Sequence, residues 1–306
     1  MGIPFITEPD VSYAIGEKLS PKVRRVICEN PGPFTYTGTS SFIVGTGAVA
    51  VIDPGPAHPA HLEAILAALD PGEVITHILA THTHSDHSPL AHDLKARTGA
   101  NICGFDLPGH NDGTTQLINP EFVQMEEAID RDFRPDIPLA HGDELTGPDW
   151  TLEAVHTPGH ISNHLCFALH EEKTLFTGDH IMGWATSVVV PPEGNMADYM
   201  ASLELLLARD DTLYRPTHGP AIPDPQNFVR AYIAHRHMRE TQILEQLAAG
   251  VHKIADMIPV LYAETDPRLH PAAAMSVYAH LEGLVETGRA VCDGPISLSA
   301  DFAATH

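Results

Sequence analysis

Apolar residues occur along the first two thirds of the chain in short runs that alternate with longer amphipathic stretches. Short apolar runs bounded by Gly, Pro or Asp predict β-strands, and a 3.6-residue apolar repeat predicts helices. Strands are predicted over Ser41–Val44, Ala48–Asp53, Ile75–Thr81, Asn101–Phe105, Leu152–His156, Leu165–Leu169 and Thr174–Thr177. Helices are predicted over Pro59–Leu69, Pro89–Thr98 and Met196–Ala208. This order of elements predicts a mixed α/β domain.

The pattern changes after His218, where helical periodicity dominates. Helices are predicted over Asn227–Ala249, Lys253–Ala263 and Pro271–Thr287, and a small hairpin over Arg289–Ser299. Three helices followed by a hairpin predict a winged-helix-like appendage. We therefore divide the chain into an N-terminal α/β domain, residues 1–225, and a helical C-terminal domain, residues 226–306.

Histidine and aspartate are concentrated in T-H-T-H-S-D-H, residues 81–87, directly after an apolar strand. Alternate side chains of an extended segment project to the same side, so His82 and His84 can hold one ion together. The chain then turns toward a helix, which lets Asp86 and His87 face a second ion. Imidazole and carboxylate together suit zinc, manganese or iron. Because H-x-H-x-D-H is far more specific than a lone histidine, we interpret the segment as a metal site rather than a solvated loop.

Further residues of ligand type follow apolar segments and stand beside Gly or Pro, which favour tight turns. They are His160 in T-P-G-H, Asp179 in F-T-G-D-H and His218 in P-T-H-G-P. Asp53, in V-I-D-P-G, ends an earlier strand in the same way. These residues have the character needed to complete two metal sites.

These motifs, in this order, resemble those of the metallo-β-lactamase superfamily over residues 30 to about 220. The resemblance implies an αββα sandwich, here followed by the winged-helix-like appendage. The implied ligands are His82, His84 and His160 for a first ion and Asp86, His87 and His218 for a second. Asp179 would bridge the two ions, and Asp53 would orient the H-x-H loop without binding metal.

Within this superfamily, the chain looks most like the branch called β-lactamase-like protein 2, whose mitochondrial member is a single-strand-specific endoribonuclease. The supporting segments, apart from the helical tail, are Asn30–Thr35, Asp198–Leu203 and His218–Pro220. This closer resemblance implies hydrolysis of a phosphodiester in RNA.

The implied metal pair favours hydrolysis. A hydroxide held between two cations is a strong nucleophile at neutral pH, because coordination lowers the pKa of water to roughly 7. Asp86 is a candidate to take up or relay the proton, and Asp179 is the candidate bridge. We therefore predict a metal-dependent hydrolase with two Zn²⁺ ions, for which Mn²⁺ or Fe²⁺ are alternatives.

The charge balance favours a small-molecule substrate. The chain has 17 Lys plus Arg against 40 Asp plus Glu, a formal net charge of −23. Few cations are available to neutralise phosphates, which disfavours RNA, DNA and a membrane surface as partners. Residues 249–306 have three Lys or Arg against seven Asp or Glu, the opposite of what a DNA-binding tail needs. We interpret the tail as a packing or homodimer-forming element.

The cellular location predicted from the sequence is cytoplasmic. The four cysteines are scattered without a C-x-x-C pair, which is typical of reduced thiols. The segment Met1–Asp10 lacks the basic and apolar regions of a signal peptide. No apolar run approaches the roughly 18 residues that a membrane span needs.

Substrate contacts are predicted near the bridging aspartate. His164 and His180 either line the pocket or, as we favour, support it from behind. Met182 and Trp184 either form an apolar substrate wall or pack in the core. The most basic stretch includes Arg230, His235, Arg236, His237 and Arg239. We interpret it as a solvated helix face, with an anion-binding pocket mouth as the alternative.

The bond that is hydrolysed stays open at this point. The acidity of the chain slightly favours a small ester, thioester or lactone, whereas the branch resemblance implies single-stranded RNA. A β-lactamase is less expected because no export signal is present. An iron-dependent sulfur dioxygenase is a further alternative because such enzymes share the fold and the H-x-H-x-D-H motif. A non-catalytic binding module is least expected, because no ligand position is missing.

Overall fold

The computed structural model describes residues 2–7, 10–106, 128–265 and 267–305. Seven strands form a first sheet in the order β1 to β7: Glu17–Lys18, Val23–Ile27, Ser40–Val44, Ala48–Ile52, Val74–Leu79, Asn101–Gly104 and Ile137–Pro138. Neighbours from β1 to β4 are antiparallel, and neighbours from β4 to β7 are parallel.

Five strands form a second sheet in the spatial order β12-β11-β10-β9-β8. Strands β8 to β12 are Glu144–Thr146, Thr151–His156, Leu165–Leu169, Thr174–Gly178 and Leu213–Pro216. All pairs are antiparallel except β11 and β12, which are parallel. The helices α1 to α3 are Pro59–Ala67, Leu90–Thr98 and Met196–Leu207.

The two sheets pack face to face, with a helical layer on each outer face. Phe42 of β3 and Phe176 of β11 lie in one apolar cluster, with ring centroids 4.9 Å apart. A second cluster joins α1 and α2 to the outer face of the first sheet, and a third joins α3 to the outer face of the second. Central strands such as β3 and β10 are buried at every position, which is why they lack a polar face. The predicted αββα sandwich is confirmed.

The C-terminal part consists of α4 to α6, Pro225–Ala248, Ile254–Leu261 and His270–Glu286, and a hairpin of β13 and β14, Ala290–Cys292 and Phe302–Ala304. These elements share an apolar cluster that includes Ile243, Val277 and Phe302. The predicted hairpin over Arg289–Ser299 is wrong in extent, because its second strand is placed by the buried Phe302 beyond residue 299.

Helix α4 belongs to two apolar clusters. Phe228 and Tyr232 pack with the second sheet and α3, whereas Ile243 and Leu247 pack with the tail. The predicted boundary between residues 225 and 226 falls at the N-terminus of this helix and stays a prediction, as does a dimer-forming role for the tail. Among the described residues, no helix is long and apolar enough to cross a membrane.

Candidate metal centre

The predicted ligands meet at one edge of the sandwich, where several strands end. Asp53 follows β4, His82 follows β5, and Asp179 follows β11. His218 comes two residues after β12, and His160 comes four residues after β9. Carboxyl ends of parallel strands at one sheet edge are a common place for binding sites in α/β proteins. Residues far apart in the sequence are therefore brought into one small volume.

Three histidines form the first cluster. The Nε2 atom of His82 lies 2.9 Å from Nδ1 of His84, which lies 3.1 Å from Nε2 of His160. Ligand atoms bound 2.0–2.1 Å from a tetrahedral ion lie about 3.4 Å from one another. The three nitrogens are thus spaced for a shared ion.

Asp86, His87 and His218 form the second cluster. The Oδ2 atom of Asp86 lies 3.0 Å from Nε2 of His218 and 3.4 Å from Nε2 of His87. The two Nε2 atoms are themselves 3.2 Å apart. All three residues are buried.

Asp179 lies between the two clusters. Its Oδ1 atom is 3.5 Å from Nε2 of His87 and 3.4 Å from Nε2 of His218. Its Oδ2 atom is 4.0 Å from Nε2 of His160. One oxygen faces each cluster, which is the arrangement that a bridging carboxylate requires.

Gly178, which precedes Asp179, has φ of +49°, and a Cβ there would lie 2.5 Å from Nε2 of His164. Only glycine fits this approach without a shift of the neighbouring residues.

The inward-facing Nε2 atoms of His160 and His218 are unprotonated and can bind a cation. Nδ1 of His160 lies 2.6 Å from the carbonyl oxygen of Val188, and Nδ1 of His218 lies 3.2 Å from that of Gly38. Each Nδ1 therefore carries the proton and donates a hydrogen bond, which leaves Nε2 with a lone pair. Oδ1 of Asp86, also buried, has no hydrogen-bond partner in the described part of the chain. This donor set fits a pair of metal ions of the zinc class.

The two clusters differ in their electrostatics. Burial lowers the pKa of His82 well below its usual value and that of His84 to about 3, so both are neutral, as ligands must be. Burial alone would lower the pKa of His87, but the nearby carboxylates, Asp86 foremost, raise it well above its usual value. Burial alone would raise the pKa of Asp86, but His87 and then His218 hold it well below its usual value. The second cluster thus attracts positive charge most strongly.

Asp53 supports the ligands without facing the centre. Its Oδ1 accepts a hydrogen bond from the backbone N–H of Thr81 at 2.7 Å. Its Oδ2 accepts from the hydroxyls of Thr81 and Thr217 at 2.9 and 2.6 Å, and from Nδ1 of His87 at 3.0 Å. Neither threonine was predicted from the sequence to support the site. The available signal was that each one directly precedes a predicted ligand histidine.

His164 and His180, the two predicted pocket histidines, lie outside the cavity lining. Nδ1 of His164 lies 2.9 Å from the hydroxyl of Thr157, and its Nε2 accepts the backbone N–H of Asp179 at 3.2 Å. His164 therefore positions Asp179, the predicted bridge between the two clusters. His180 is buried against the Tyr199 ring, with centroids 4.6 Å apart. Both are placed behind the site, as the favoured interpretation expected.

A cavity of about 410 Å³ opens onto the centre. His84, His160 and Asp179 line it. Met182 and Trp184 lie in its wall, which is mostly apolar, so the wall interpretation matches their placement. The indole of Trp184 also stacks on Tyr36, with ring centroids 4.8 Å apart. Residues of α4 and α6 line the cavity as well.

The basic stretch of α4 is divided between solvent and this cavity. Arg230 and His237 are exposed, as a solvated helix face requires. That interpretation is wrong for Arg236 and Arg239, which line the cavity, since the helix turns them away from solvent. Arg236 is buried and donates a hydrogen bond to the Ser187 carbonyl at 2.5 Å.

Comparisons with known proteins agree with this architecture. Residues 35–218 match the family model of the metallo-beta-lactamase superfamily, and residues 254–295 match that of the beta-lactamase associated winged helix domain. A beta-lactamase domain protein from Burkholderia ambifaria shares the fold, with a TM-score of 0.77 and 20% identity over 97% of each chain.

Two curated proteins are similar in sequence. The Beta-lactamase-like protein 2 homolog of Drosophila melanogaster is 33% identical over 89% of this chain and 90% of that protein, which confirms the predicted branch resemblance. The atrochrysone carboxyl ACP thioesterase dmxR1 of Cryptosporiopsis sp. is 34% identical over 76% of this chain. The chain spans only 64% of that thioesterase's length. This chain belongs to the metallo-beta-lactamase superfamily of metal-dependent hydrolases.

Proposed function

We propose that the protein is a dinuclear metal-dependent hydrolase of small acyl compounds, with a thioester as the foremost substrate and an ester or lactone as related ones. The observation that carries this proposal is the mostly apolar cavity whose lining includes His84, His160 and Asp179. A cavity of about 410 Å³ is in the range for small ligands. Similarity to an acyl carrier protein thioesterase supports a thioester bond.

The ligand assignment is part of this proposal. His82, His84 and His160 would hold one ion, Asp86, His87 and His218 would hold the other, and Asp179 lies between the two groups. Ions of the zinc class bound there would polarise the scissile carbonyl and make the attacking water more acidic.

The residues of the chain have three roles: they orient the ligand imidazoles, exclude bulk water and accept the proton of the attacking water. Asp53 and the Val188 carbonyl hold the ligand imidazoles in one tautomer. Oδ1 of Asp86 and Oδ1 of Asp179 are both buried without a hydrogen-bond partner among the described residues. Because Asp179 faces both clusters, we assign Asp86 as the acceptor of the water proton. Met182 and Trp184 hold the acyl group and keep bulk water out.

The test uses the purified protein loaded with Zn²⁺. An acyl thioester, its oxygen ester, a lactone, nitrocefin and a fluorescent single-stranded RNA are assayed side by side. We expect the thioester to have the highest kcat/KM and Asp86→Asn to reduce it by about two orders of magnitude or more. Activity on RNA alone, or on nitrocefin alone, would refute the proposal. Metal analysis of the protein as purified, before zinc is added, separates a zinc hydrolase from an iron dioxygenase, since two zinc ions per chain are expected.

RNA hydrolysis is the second candidate, favoured by the similarity to the Beta-lactamase-like protein 2 homolog over 89% of the chain. Against it, the net charge is −23, and Arg236 and Arg239 line the cavity instead of an open surface. Binding to single-stranded RNA gives a salt slope of about −0.7 for each phosphate contact. A steep dependence of cleavage on salt would favour RNA over a small substrate.

A further inference from the structure

The cavity lining includes two arginines from α4. Arg236 and Arg239 line the same cavity as the metal-centre residues, together with His235 and, from the tail, Tyr262 and Met275. The guanidinium carbon of Arg239 lies 4.1 Å from the centroid of the Tyr262 ring, and that of Arg236 lies 5.0 Å from that of Tyr199. Both side chains are therefore held in place by aromatic rings.

Neither arginine has a carboxylate partner within 4 Å among the described residues, in a chain with 40 Asp and Glu. Arg236 is only 4% exposed, and Nε of both arginines is buried without a hydrogen-bond partner in the described part of the chain. Two other partly buried arginines are paired: Arg24 lies 2.6 Å from Glu73, and Arg209 lies 2.7 Å from Asp211. Arg215 is also buried without an ion pair among the described residues, but it does not line this cavity. A buried cation without a counter-ion is costly, which indicates that an anion is missing.

The neighbouring groups do not supply that anion. Burial, and then Arg236 and Arg239, lower the pKa of His235 to about 4, so this imidazole is neutral. The adjacent carboxylate, Glu240, pairs instead with Arg289 at 2.6 Å. The hydrogen bonds that the two arginines do make go to neutral oxygens, such as the Leu261 carbonyl at 2.8 Å from Arg239. Donor capacity remains, because each guanidinium has five N–H groups.

We propose that Arg236 and Arg239 form an anion-binding subsite for the substrate, so that the enzyme selects acyl compounds with a second negatively charged group, a carboxylate or a phosphate. This inference rests on the proposed function, since the reacting carbonyl would lie at the metal-centre residues and the anion at the arginines, which line the same cavity. The mostly apolar lining of that cavity accommodates the connecting carbon chain. A substrate without the anion leaves two cations uncompensated and is rejected for that reason.

The test measures binding, independently of turnover. The zinc-loaded protein is titrated calorimetrically with α,ω-dicarboxylates from glutarate to suberate, and with the monocarboxylates of the same lengths. We expect at least one dicarboxylate to bind about tenfold or more tightly than its monocarboxylate, as a charge-assisted hydrogen bond implies. An ω-phosphonocarboxylate of the best length shows whether the arginines prefer a carboxylate or a phosphonate.

Three variants assign this preference to the subsite. Arg239→Gln and Arg236→Gln are expected to reduce it to about threefold or less, whereas Arg230→Gln, an exposed arginine on the same helix, keeps it. Because Arg236 is buried, the melting temperature of each variant is measured, and Arg239→Gln carries the test if Arg236→Gln does not fold. The proposal is overturned if the wild-type protein shows no preference, or if Arg239→Gln retains it.

The outcome is distinguishable from failure of the proposed function. If dicarboxylates bind preferentially but no thioester is hydrolysed, the subsite stands and the proposed reaction is wrong. If a thioester of a dicarboxylic acid and its methyl ester are hydrolysed equally well and no binding preference exists, the reaction stands and the subsite is wrong.

Discussion

Replacing Asp53 by Asn tests whether a residue that faces away from the metal centre controls it. The carboxylate accepts four hydrogen bonds, two of them involving Thr81, one Thr217 and one His87. An amide nitrogen cannot accept any of them. If it replaces Oδ1, it opposes the backbone N–H of Thr81, which cannot turn away. If it replaces Oδ2, the hydroxyls can rotate, but Nδ1 of His87 can no longer donate to it.

The second orientation has a direct consequence for metal binding. A His87 ring that gives up its Nδ1 proton takes it on Nε2, the atom 3.2 Å from Nε2 of His218. A protonated Nε2 cannot be a ligand. Loss of such an orienting partner costs about 10–100-fold in metal affinity. The lost charged hydrogen bond should also lower the free energy of unfolding by about 1.5–3 kcal/mol.

Asp149→Asn provides a matched control. Asp149 also accepts hydrogen bonds, from Lys22 and from the backbone and hydroxyl of Thr46, but its side chain is 28% exposed and outside the metal centre. Zinc affinity is measured by competition with a chromophoric chelator, and stability by urea unfolding. We expect only Asp53→Asn to weaken zinc binding. Two zinc ions held by Asp53→Asn with wild-type affinity would refute this account of His87.

Three further substitutions probe the site at other points. Asp179→Ala should abolish turnover and reduce the zinc content measured by elemental analysis, because one carboxylate serves both clusters; near-normal turnover would place the bridge elsewhere. Gly178→Ala should lower the free energy of unfolding by about 2 kcal/mol or more, because a Cβ at φ +49° would lie 2.5 Å from His164; an unchanged urea midpoint would contradict this. Trp184→Ala should raise KM for a small acyl substrate by the equivalent of about 1–3 kcal/mol, because an apolar wall is lost, and an unaltered KM would place the substrate elsewhere.

The alternation of strands and helices predicted a mixed α/β domain, and the H-x-H-x-D-H segment predicted a metal site. The αββα sandwich and the full set of ligands were predicted from the resemblance to the metallo-β-lactamase superfamily. Strand β2 was missed because Arg24 and Arg25 interrupt the apolar run V-R-R-V-I. The two-residue strands Glu17–Lys18 and Ile137–Pro138 are too short to show any periodicity. These strands depend on pairing with neighbours, which a local pattern does not encode.

The place of the arginines was missed for a different reason. Charge suggested an exposed face, yet Arg236 comes four residues after the buried Tyr232, and Arg239 comes four residues before the buried Ile243. In a helix, residues four apart lie on the same face. The helical period therefore predicts the burial of these positions better than side-chain polarity does. An arginine on the apolar face of a helix was the available sign of a buried charge.

Helix α4 both packs against the catalytic domain and contributes side chains to the cavity. Near its start, Phe228 and Tyr232 belong to the apolar cluster on the second sheet. The hydroxyl of Tyr232 lies 2.6 Å from the Met182 carbonyl and 2.5 Å from that of Ala185, so it holds the segment that forms the cavity wall. One turn later, Arg236 reaches the cavity itself. A catalytic domain ending at residue 225 would lose these anchors, so we infer that the wall of the cavity depends on α4, whereas the predicted metal ligands all come from before it.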